Sequence, residues 1–230
     1  DEKKVRDYIK NIVEDYVDEI YEDNLGNLIT LKKGKKEGKK IMFAAHMDQI
    51  ALMITHIDKN GFLRFTNVGG INPNFLVGNN IIFKDGTKGK IGVEKLDKIT
   101  DLKMSKLYID IGASSKKEAE KNVQIGDMGI FAPNYSENNN RITSNYLDDR
   151  VGCVALIEAL KNIENNFHNL YFVFSSQEEV GTRGAKTAAY KIEPDIGIAV
   201  DVTATGYTPE SHTMDVSLGE GTAIKIKDSL

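Results

Sequence analysis

The stretch LDDRVGCVALIEALKNIENNFHNLYFVFSSQEE, residues 147–179, decides the fold class of this chain. Apolar residues recur near the helical period at Val151, Val154, Ala155, Ile157 and Leu160. This spacing predicts a helix over residues 148–163, and the apolar run 170–174 that follows is typical of a buried strand. A second helical segment, 184–191, and a second apolar strand, 196–200, come next. The succession of helix, strand, helix and strand predicts an α/β fold.

Toward the N-terminus, the pattern begins with a helix and continues with short strands. Residues 3–20 carry apolar residues at helical spacing with charges between them, which predicts an amphipathic helix. Residues 27–31 and 41–45 are β-rich runs on either side of the lysine-rich segment 32–40. Because this segment also contains glycines, we expect a solvated hairpin loop there in preference to a phosphate-binding patch.

The chain changes character between Ile50 and about Pro133. Alternating segments at 52–57, 62–65, 81–83 and 106–111 are separated by turns. This spacing predicts a small all-β insertion of residues 51–133 into an α/β domain formed by residues 1–50 and 134–230.

Composition excludes several classes of protein. With 40% apolar and 28% charged residues and a net charge of -4, the 230-residue chain is typical of a globular protein, and nucleic acid is not an expected partner. No apolar run approaches the roughly 20 residues of a membrane helix, and the first four residues do not resemble a secretory leader, so we expect a cytoplasmic protein with no membrane partner. The single cysteine, Cys153, is expected to be a buried, inert thiol.

Polar clusters stand at similar places relative to the predicted strands. His46 and Asp48 follow 41–45, Glu178 and Glu179 follow 170–174, Asp201 follows 196–200, and Asp148 and Asp149 precede a helix. In open α/β sheets, ligands bind beyond the carboxyl ends of the strands, so we expect these side chains to converge on one crevice. One histidine with several carboxylates suits Zn²⁺, Co²⁺ or Mn²⁺ better than a redox metal held by thiolates.

Each cluster also has a purely structural interpretation. Asp148 and Asp149 are suited to capping the helix that follows, because aspartates at a helix N-terminus accept backbone N–H groups. The glutamate pair has the usual place of solvated loop charges, and a histidine after a strand is often structural. Their joint occurrence favours a site. The spacing of His46 and Asp48 puts both on one face of a strand, where a carboxylate can orient the imidazole.

Four strings carry a resemblance to a known family: AAHMDQIALMITHID (44–58), YLDDRVGCVALIEAL (146–160), SSQEEVGTRGA (175–185) and AVDVT (199–203). In this order they resemble the dinuclear-metal aminopeptidases of the tetrahedral (TET) type, which include glutamyl and deblocking aminopeptidases and proteins once labelled endoglucanases. FTNVGGINPNFLVGN (65–79) and LYIDIGASSKKEAEKNVQIGD (107–127) resemble that family's β-rich dimerisation domain. The resemblance implies a three-layer α/β/α zinc-peptidase-like domain with an inserted, β-barrel-like dimerisation domain.

The resemblance also implies a role for six residues. The metal ligands would be His46, Asp148, Glu179 and Asp201, with Asp148 bridging two divalent ions per subunit, Zn²⁺ or Co²⁺. Glu178 resembles the general base, and Asp48 the residue that steadies His46. The implied reaction is the removal of N-terminal residues from peptides by a water that two metals activate. The implied assembly is a dimer, and the family's hollow dodecamer.

Departures from the family pattern leave two alternatives open. Gln49 and Ala51 stand where the family has Glu and Gly, which removes no ligand. The family's second metal takes a histidine from well beyond the equivalent of Leu230, which keeps open a catalytically incomplete oligomerising subunit or fragment. A related metal-dependent deacylase or amidase is the other alternative. His212 is expected in a surface loop, and His56 and His168 are expected to be structural.

Overall fold

The computed structural model describes residues 2–36, 38–206, 209 and 216–226. In chain order its elements are α1 (Lys3–Val13), β1 (Glu19–Glu22), β2 (Leu28–Lys32), β3 (Lys40–His46), β4 (Ala51–Ile57), β5 (Leu63–Val68), β6 (Asn80–Phe83), β7 (Lys88–Val93), β8 (Leu107–Asp110), α2 (Lys116–Ala119), β9 (Met128–Phe131), β10 (Tyr135–Asn138), β11 (Arg141–Ser144), α3 (Leu147–Asn162), β12 (Asn169–Ser175), α4 (Arg183–Ile192) and β13 (Ile196–Ala199). The predicted mixture of helices and strands is confirmed.

A five-stranded sheet organises the α/β part, in the order β1-β2-β12-β3-β13. The first two pairings, β1 with β2 and β2 with β12, are antiparallel. Strands β12, β3 and β13 run parallel, so their carboxyl ends lie at one edge of the sheet. The three loops that leave this edge carry three of the four polar clusters of the sequence, and the fourth, Asp148 and Asp149, lies at the start of α3.

Helices pack against both faces of this sheet. On one face, apolar residues of α1 and α3, among them Val13 and Leu160, pack against Phe172 and Phe174 of β12. On the other face, residues of α4 pack against β2, β3 and β12 in a smaller cluster that includes Val173. No helix in the described ranges is long and apolar enough to cross a membrane.

The expected hairpin around the lysine-rich segment is wrong. Strands β2 and β3, which flank it, do not pair with each other, because β12 lies between them and bonds to both. The described residues between the two strands, 33–36 and 38–39, therefore lie beside the end of β12, and Gly34 donates its backbone N–H to Asn169 Oδ1 at 2.9 Å. A connection over one intervening strand spans about 10 Å, more than a tight hairpin turn covers.

The first helix is shorter than predicted. It ends at Val13, and a 3-10 turn, Glu14–Tyr16, leads into β1. Asp18 already pairs with β2, donating its backbone N–H to Leu31 O at 2.9 Å. Residues near Asp18, which the helical period assigned to the helix, therefore pair with the sheet instead.

The predicted helix over 148–163 is present as α3, but of the five apolar residues in the predicted pattern only Ile157 and Leu160 are buried. Its buried residues are Asp149, Gly152, Cys153, Leu156, Ile157 and Leu160. Val151 and Val154 are 47% and 55% exposed. The predicted segments 184–191 and 196–200 correspond to α4 and β13, and the residues of β13 are exposed.

The insertion is a closed barrel of six strands in the order β4-β5-β8-β7-β6-β9. Its core contains fully buried Leu52, Leu63, Ile81 and Ile109. The alternating segments of the sequence correspond to β4, β5, β6 and β8, whereas β7 and β9 were not predicted. The hairpin of β10 and β11 was also missed. Asn139 and Asn140 at its tip have φ of 50° and 60°, which asparagine tolerates in tight hairpin turns.

Candidate metal centre

The candidate site lies where the three parallel strands end. His46 closes β3 and is in register with Ser175 at the end of β12. The end of β13 is aligned with β3 as well, since Val200 donates its backbone N–H to Ala44 O at 2.8 Å. The next residue along the chain is Asp201. All three loops therefore meet on one side of the sheet, as expected for a ligand site in an α/β fold.

Two groups of side chains at this edge have the composition and spacing of a metal site. One group consists of His46, Asp149 and Asp201, and the other of His46, Asp148 and Glu179. Within each group, one potential ligand atom of every residue lies within 4.8 Å of the others. The structure thus brings together the four ligands suggested by the resemblance, and it adds Asp149.

His46 is the common member of both groups and is almost fully buried. Its Nδ1 lies 3.1 Å from the backbone oxygen of Asp48, and its Nε2 lies 3.0 Å from Asp148 Oδ1. Burial lowers the pKa of His46, but its hydrogen bond to the Asp48 side chain and the surrounding carboxylates outweigh burial, so the pKa rises to about 9. The imidazole therefore lies in a strongly negative field.

Asp48 joins two of the loops. Its Oδ1 accepts the backbone N–H of Glu178 at 3.0 Å, and its Oδ2 accepts that of Glu179 at 3.1 Å. Burial would raise the pKa of Asp48, but the hydrogen bonds from His46 and from these two amides outweigh it and lower the pKa. Asp48 is therefore a charged carboxylate that fixes the glutamate pair relative to His46.

Asp148 and Asp149 had two interpretations in the sequence, helix capping and a place in a metal site, and the structure supports a different one for each. Both have non-helical torsions at the start of α3. The fully buried Asp149 caps the helix, since its Oδ1 accepts the N–H of Gly152 at 3.1 Å, while its Oδ2 accepts the N–H of His46 at 3.2 Å. Asp148 is instead turned toward His46. Capping and proximity to the candidate metal centre are therefore compatible in this pair.

Burial and mutual repulsion raise the pKa of three carboxyl groups. The pKa of Asp149 rises to about 7, first through burial and then through the charge of Asp201. The pKa of Glu179 rises to about 7, first through burial and then through Asp148. Burial also raises the pKa of Glu178. Crowded carboxylates with raised pKa values in a cleft are typical of functional sites.

A buried asparagine anchors the loop that carries the glutamate pair. Asn27 is fully buried; its Oδ1 accepts the N–H of Ser176 at 2.9 Å, and its Nδ2 donates to Gly184 O at 3.0 Å. A Cβ on Gly184 would lie 2.2 Å from Ser176 O, so only glycine allows this approach. Both ends of the loop 176–184 are thereby held at the start of β2.

The barrel also reaches the site. Gly69, just after β5, has a φ of +88°, and a Cβ there would lie 2.7 Å from Ile50 Cγ2 and 3.3 Å from Glu179 Oε2. The sequence did not indicate this proximity; it did place Asp149 among the converging polar residues, but not among the metal ligands. Within the string 65–79, the Gly69-Gly70 pair could have indicated the proximity, because glycines often occur where the backbone approaches another group closely.

The remaining singled-out residues lie away from the two groups. His56 is exposed on β4 of the barrel, and His168 Nδ1 accepts the backbone N–H of Lys39 at 3.2 Å. Cys153 is buried as expected, and its thiol lies 3.2 Å from His46 O. His212 lies outside the described residues. A recess of about 560 Å³ on the barrel, beside Ile81 and Lys90, includes no member of the site.

Comparisons with known proteins identify the family of this chain. The sequence profile of the M42 glutamyl aminopeptidase family matches residues 26–230. A protein of Acetivibrio thermocellus, provisionally named an aminopeptidase, is 51% identical over 228 residues, which cover 99% of this chain and 68% of the relative.

Solved structures give the same result. The aminopeptidase APDkam598 of the archaeon Desulfurococcus kamchatkensis superposes with a TM-score of 0.89 at 39% identity, over 96% of this chain and 64% of that chain. The TET1 peptidase of Pyrococcus horikoshii, which can assemble into a tetrahedron or a large octahedral shell, superposes with a TM-score of 0.81 at 36% identity, over 96% and 68%. The chain thus spans about two thirds of the length of these proteins.

The family that the four sequence strings suggested is confirmed by these matches. With the family profile matched over residues 26–230 and the fold shared with a solved aminopeptidase, the chain belongs to the M42 glutamyl aminopeptidase family of hydrolases.

Proposed function

We propose that this chain forms the site of a metal-dependent aminopeptidase, which removes N-terminal residues from peptides. The observation that carries the proposal is the shared position of His46 in two carboxylate groups, one with Asp149 and Asp201 and one with Asp148 and Glu179. The family membership supports aminopeptidase chemistry in preference to other hydrolytic reactions.

We propose that these side chains hold two divalent cations. We assign His46, Asp148 and Asp201 to one ion and Asp148 with Glu179 to the other, with Zn²⁺ or Co²⁺ as the expected metal. Repulsion among these carboxylates, which contributes to the raised pKa of Asp149 and of Glu179, would be offset by bound positive charge. When bound, such ions supply Lewis acidity, polarising the scissile carbonyl and lowering the pKa of a water molecule.

Glu178 is the proposed general base. It takes a proton from the attacking water and donates it to the departing amine, so one carboxylate serves both halves of the reaction. Its Oε2 lies 3.8 Å from His46 Nε2, at the centre of the cluster. Its raised pKa, caused by burial, brings proton exchange closer to neutral pH. Asp48 acts as a positioning residue, because it holds the backbone of Glu178 and orients His46.

The further proposals concern architecture and assembly. We propose that residues 1–50 and 134–230 form a three-layer catalytic domain and that residues 51–133 form a domain through which subunits dimerise. The helices on both faces of the sheet support the first assignment. The shell-forming TET1 peptidase supports self-association, with a dodecamer as the expected assembly. A single free cysteine suits the reducing cytoplasm.

A second candidate is a catalytically incomplete subunit that contributes to oligomers. The observation that favours it is the shortage of imidazole ligands, because His46 is the one histidine found in a metal-capable group among the described residues. Structural zinc sites and most catalytic ones hold each ion through three or four protein ligands. The second ion has two assigned ligands here, so the count of bound metals separates the two candidates.

The test combines hydrolysis with metal stoichiometry. The chain is loaded with Zn²⁺ or Co²⁺, the bound metal is counted, and hydrolysis of leucine- and glutamate-p-nitroanilide is measured. We expect two ions per chain and activity that Glu178→Gln removes. Glu164→Gln, at an exposed position outside the site, is the matched control. At most one tightly bound ion with no hydrolysis supports the incomplete subunit. Equal activity of the Glu178 and Glu164 variants would overturn the assignment of the base.

A further inference from the structure

A recess of about 250 Å³ lies at the junction of the barrel and the α/β part. Its apolar walls include Ile50, Ile71, Phe75 and Phe131, and the amides of Asn72 and Asn145 stand among its lining residues. Pockets for drug-sized ligands run from about 300 to 1,000 Å³, so this recess suits a smaller group, such as one amino-acid side chain.

The recess adjoins the candidate metal centre. A Cβ added at Gly69 would meet the side chains of both Ile50 and Glu179, so both flank this glycine, and the next residue, Gly70, lines the recess. Asn145, on another wall, precedes Asp148 by three residues and is fixed by hydrogen bonds to Ala132 O and from the N–H of Asn134, both at 3.1 Å. Glu179 and the recess are therefore neighbours on either side of the segment Gly69-Gly70.

The walls select the chemistry of the occupant. Within the described part of the chain, none of the lining residues is charged. A lysine or glutamate side chain entering the recess would lose hydration without gaining an ionic partner, whereas an apolar side chain gains by leaving water. The amides at Asn72 and Asn145 can hydrogen-bond the polar atoms of a neutral ligand.

We propose that this recess binds the side chain of the substrate's N-terminal residue and gives the enzyme a preference for apolar residues such as leucine or methionine. The inference rests on the proposed aminopeptidase function, since it places the free amino group of the peptide next to Glu179. It specifies the class of substrate for the same site.

Phe75 is the residue on which this preference can be tested without disturbing the fold. Its side chain is 78% exposed although it belongs to the recess. Its backbone is held independently, because Asn79 Nδ2 donates to Phe75 O at 2.6 Å and the N–H of Asn74 donates to Asn72 Oδ1 at 3.0 Å. Truncating the ring therefore changes the wall of the recess while the turn Pro73–Phe75 keeps its bonds.

The experiment compares Phe75→Ala and Phe75→Lys with the wild-type chain on leucine-, lysine- and glutamate-p-nitroanilide. The control is Phe167→Ala, an exposed ring that lies against Lys36, outside the recess. We expect the wild type to prefer leucine by at least tenfold in kcat/KM and Phe75→Ala to reduce that preference several-fold. Phe75→Lys should favour glutamate relative to leucine. Equal losses on all three substrates, or the same change in the control, would overturn the proposal.

A binding measurement separates this proposal from the proposed function. Methyl NMR of the Zn²⁺-loaded chain follows the δ1 methyl groups of Ile50 and Ile71 during titration with leucinamide or glycinamide. We expect leucinamide alone to shift both methyl groups, and Phe75→Ala to weaken its binding. Such shifts without any hydrolysis would refute the proposed function and uphold the recess. Hydrolysis of leucine-p-nitroanilide with no leucinamide-specific shift would refute the recess and uphold the function.

Discussion

The carboxylate of Asp48 accepts the backbone N–H of Glu178 at 3.0 Å, and its second oxygen accepts the next amide of the same loop at 3.1 Å. Asp48 follows β3, whereas Glu178 follows β12, so one buried side chain joins the ends of two neighbouring strands. Because Asp48 also lies 3.5 Å from His46 Nδ1, the histidine and the glutamate pair cannot move independently. This arrangement determines how substitutions at the site should behave.

Asp48→Asn tests this link. The side-chain nitrogen of asparagine cannot accept a hydrogen bond, so one of the two backbone N–H groups loses its partner, at a cost of about 1–3 kcal/mol in the free energy of unfolding. We also expect metal affinity or kcat/KM to fall by about 10–100-fold, as is usual when a partner of a metal-binding histidine is removed. The readouts are urea unfolding, Zn²⁺ titration and peptide hydrolysis.

The matched control for this substitution is Asp58→Asn. Asp58 Oδ1 also accepts two backbone amides, those of Asn60 and Phe62, but in a turn of the barrel. The control should leave Zn²⁺ affinity unchanged. If the two variants bind Zn²⁺ equally well, Asp48 does not position the site.

Gly152→Ala should perturb the buried aspartate of α3. A Cβ at Gly152 would lie 2.3 Å from Asp149 Oδ1 and 2.5 Å from Oδ2, closer than such atoms approach in proteins. Alanine is favoured over glycine in a helix by about 1 kcal/mol. Overpacking costs about 1–3 kcal/mol, and the displaced atoms form the helix cap, so we expect net destabilisation together with weaker Zn²⁺ binding.

Thermal unfolding with and without Zn²⁺ measures both effects of Gly152→Ala. Val151→Ala, one residue earlier and about half exposed, serves as the control and should change stability by less than about 0.5 kcal/mol. A melting temperature for Gly152→Ala at or above the wild-type value would show that Asp149 relaxes without cost.

Asn27→Asp should destabilise the chain by removing a buried donor. The new carboxylate cannot donate to Gly184 O, and it would face Asp23 Oδ2, which now accepts from Asn27 Nδ2 at 2.7 Å. Leaving a buried group unsatisfied costs about 1–3 kcal/mol, and more for a charge, so we expect at least about 2 kcal/mol at pH 7 by urea unfolding. Asn60→Asp, at an exposed position, is the control. A similar midpoint for both variants would mean that Asn27 does not anchor the loop.

Much of the α/β part could be predicted because its signals are local. The periodicity that predicts α3 and the apolar run that predicts β12 each depend on a single segment of the chain. The order of the strands does not. Nothing in residues 28–46 indicates that β12 separates β2 from β3, since that pairing is decided by a strand more than a hundred residues later. The local pattern therefore predicted a hairpin that does not exist.

The same limit applies to the site. The convergence of His46 with the glutamate pair and Asp201 could be anticipated, since residues at the carboxyl ends of parallel strands meet at one edge of a sheet. The contact between Gly69 and Glu179 could not, because it depends on how the barrel is placed against the sheet. Val151 and Val154 show a related limit. Their apolar character fits the helical period, but about half of each residue is exposed in the structure.

Cys153 should be almost unreactive in the folded chain. Its thiol is 2% exposed, and burial raises its pKa to about 12, so at pH 8 the native protein holds roughly a thousandfold less thiolate than the unfolded chain. Iodoacetamide labelling followed by mass spectrometry should therefore be slow without urea and rapid in it.

The same thiol should make stability depend on pH. Because its pKa is higher in the folded than in the unfolded chain, the native state retains the proton between about pH 9 and 12. The free energy of unfolding should therefore fall as pH rises through that window, by up to about 1.4 kcal/mol per pH unit. In Cys153→Ala, the free energy of unfolding should not show this decrease with pH. Rapid labelling of the folded chain, or equal pH slopes, would contradict the burial of this thiol.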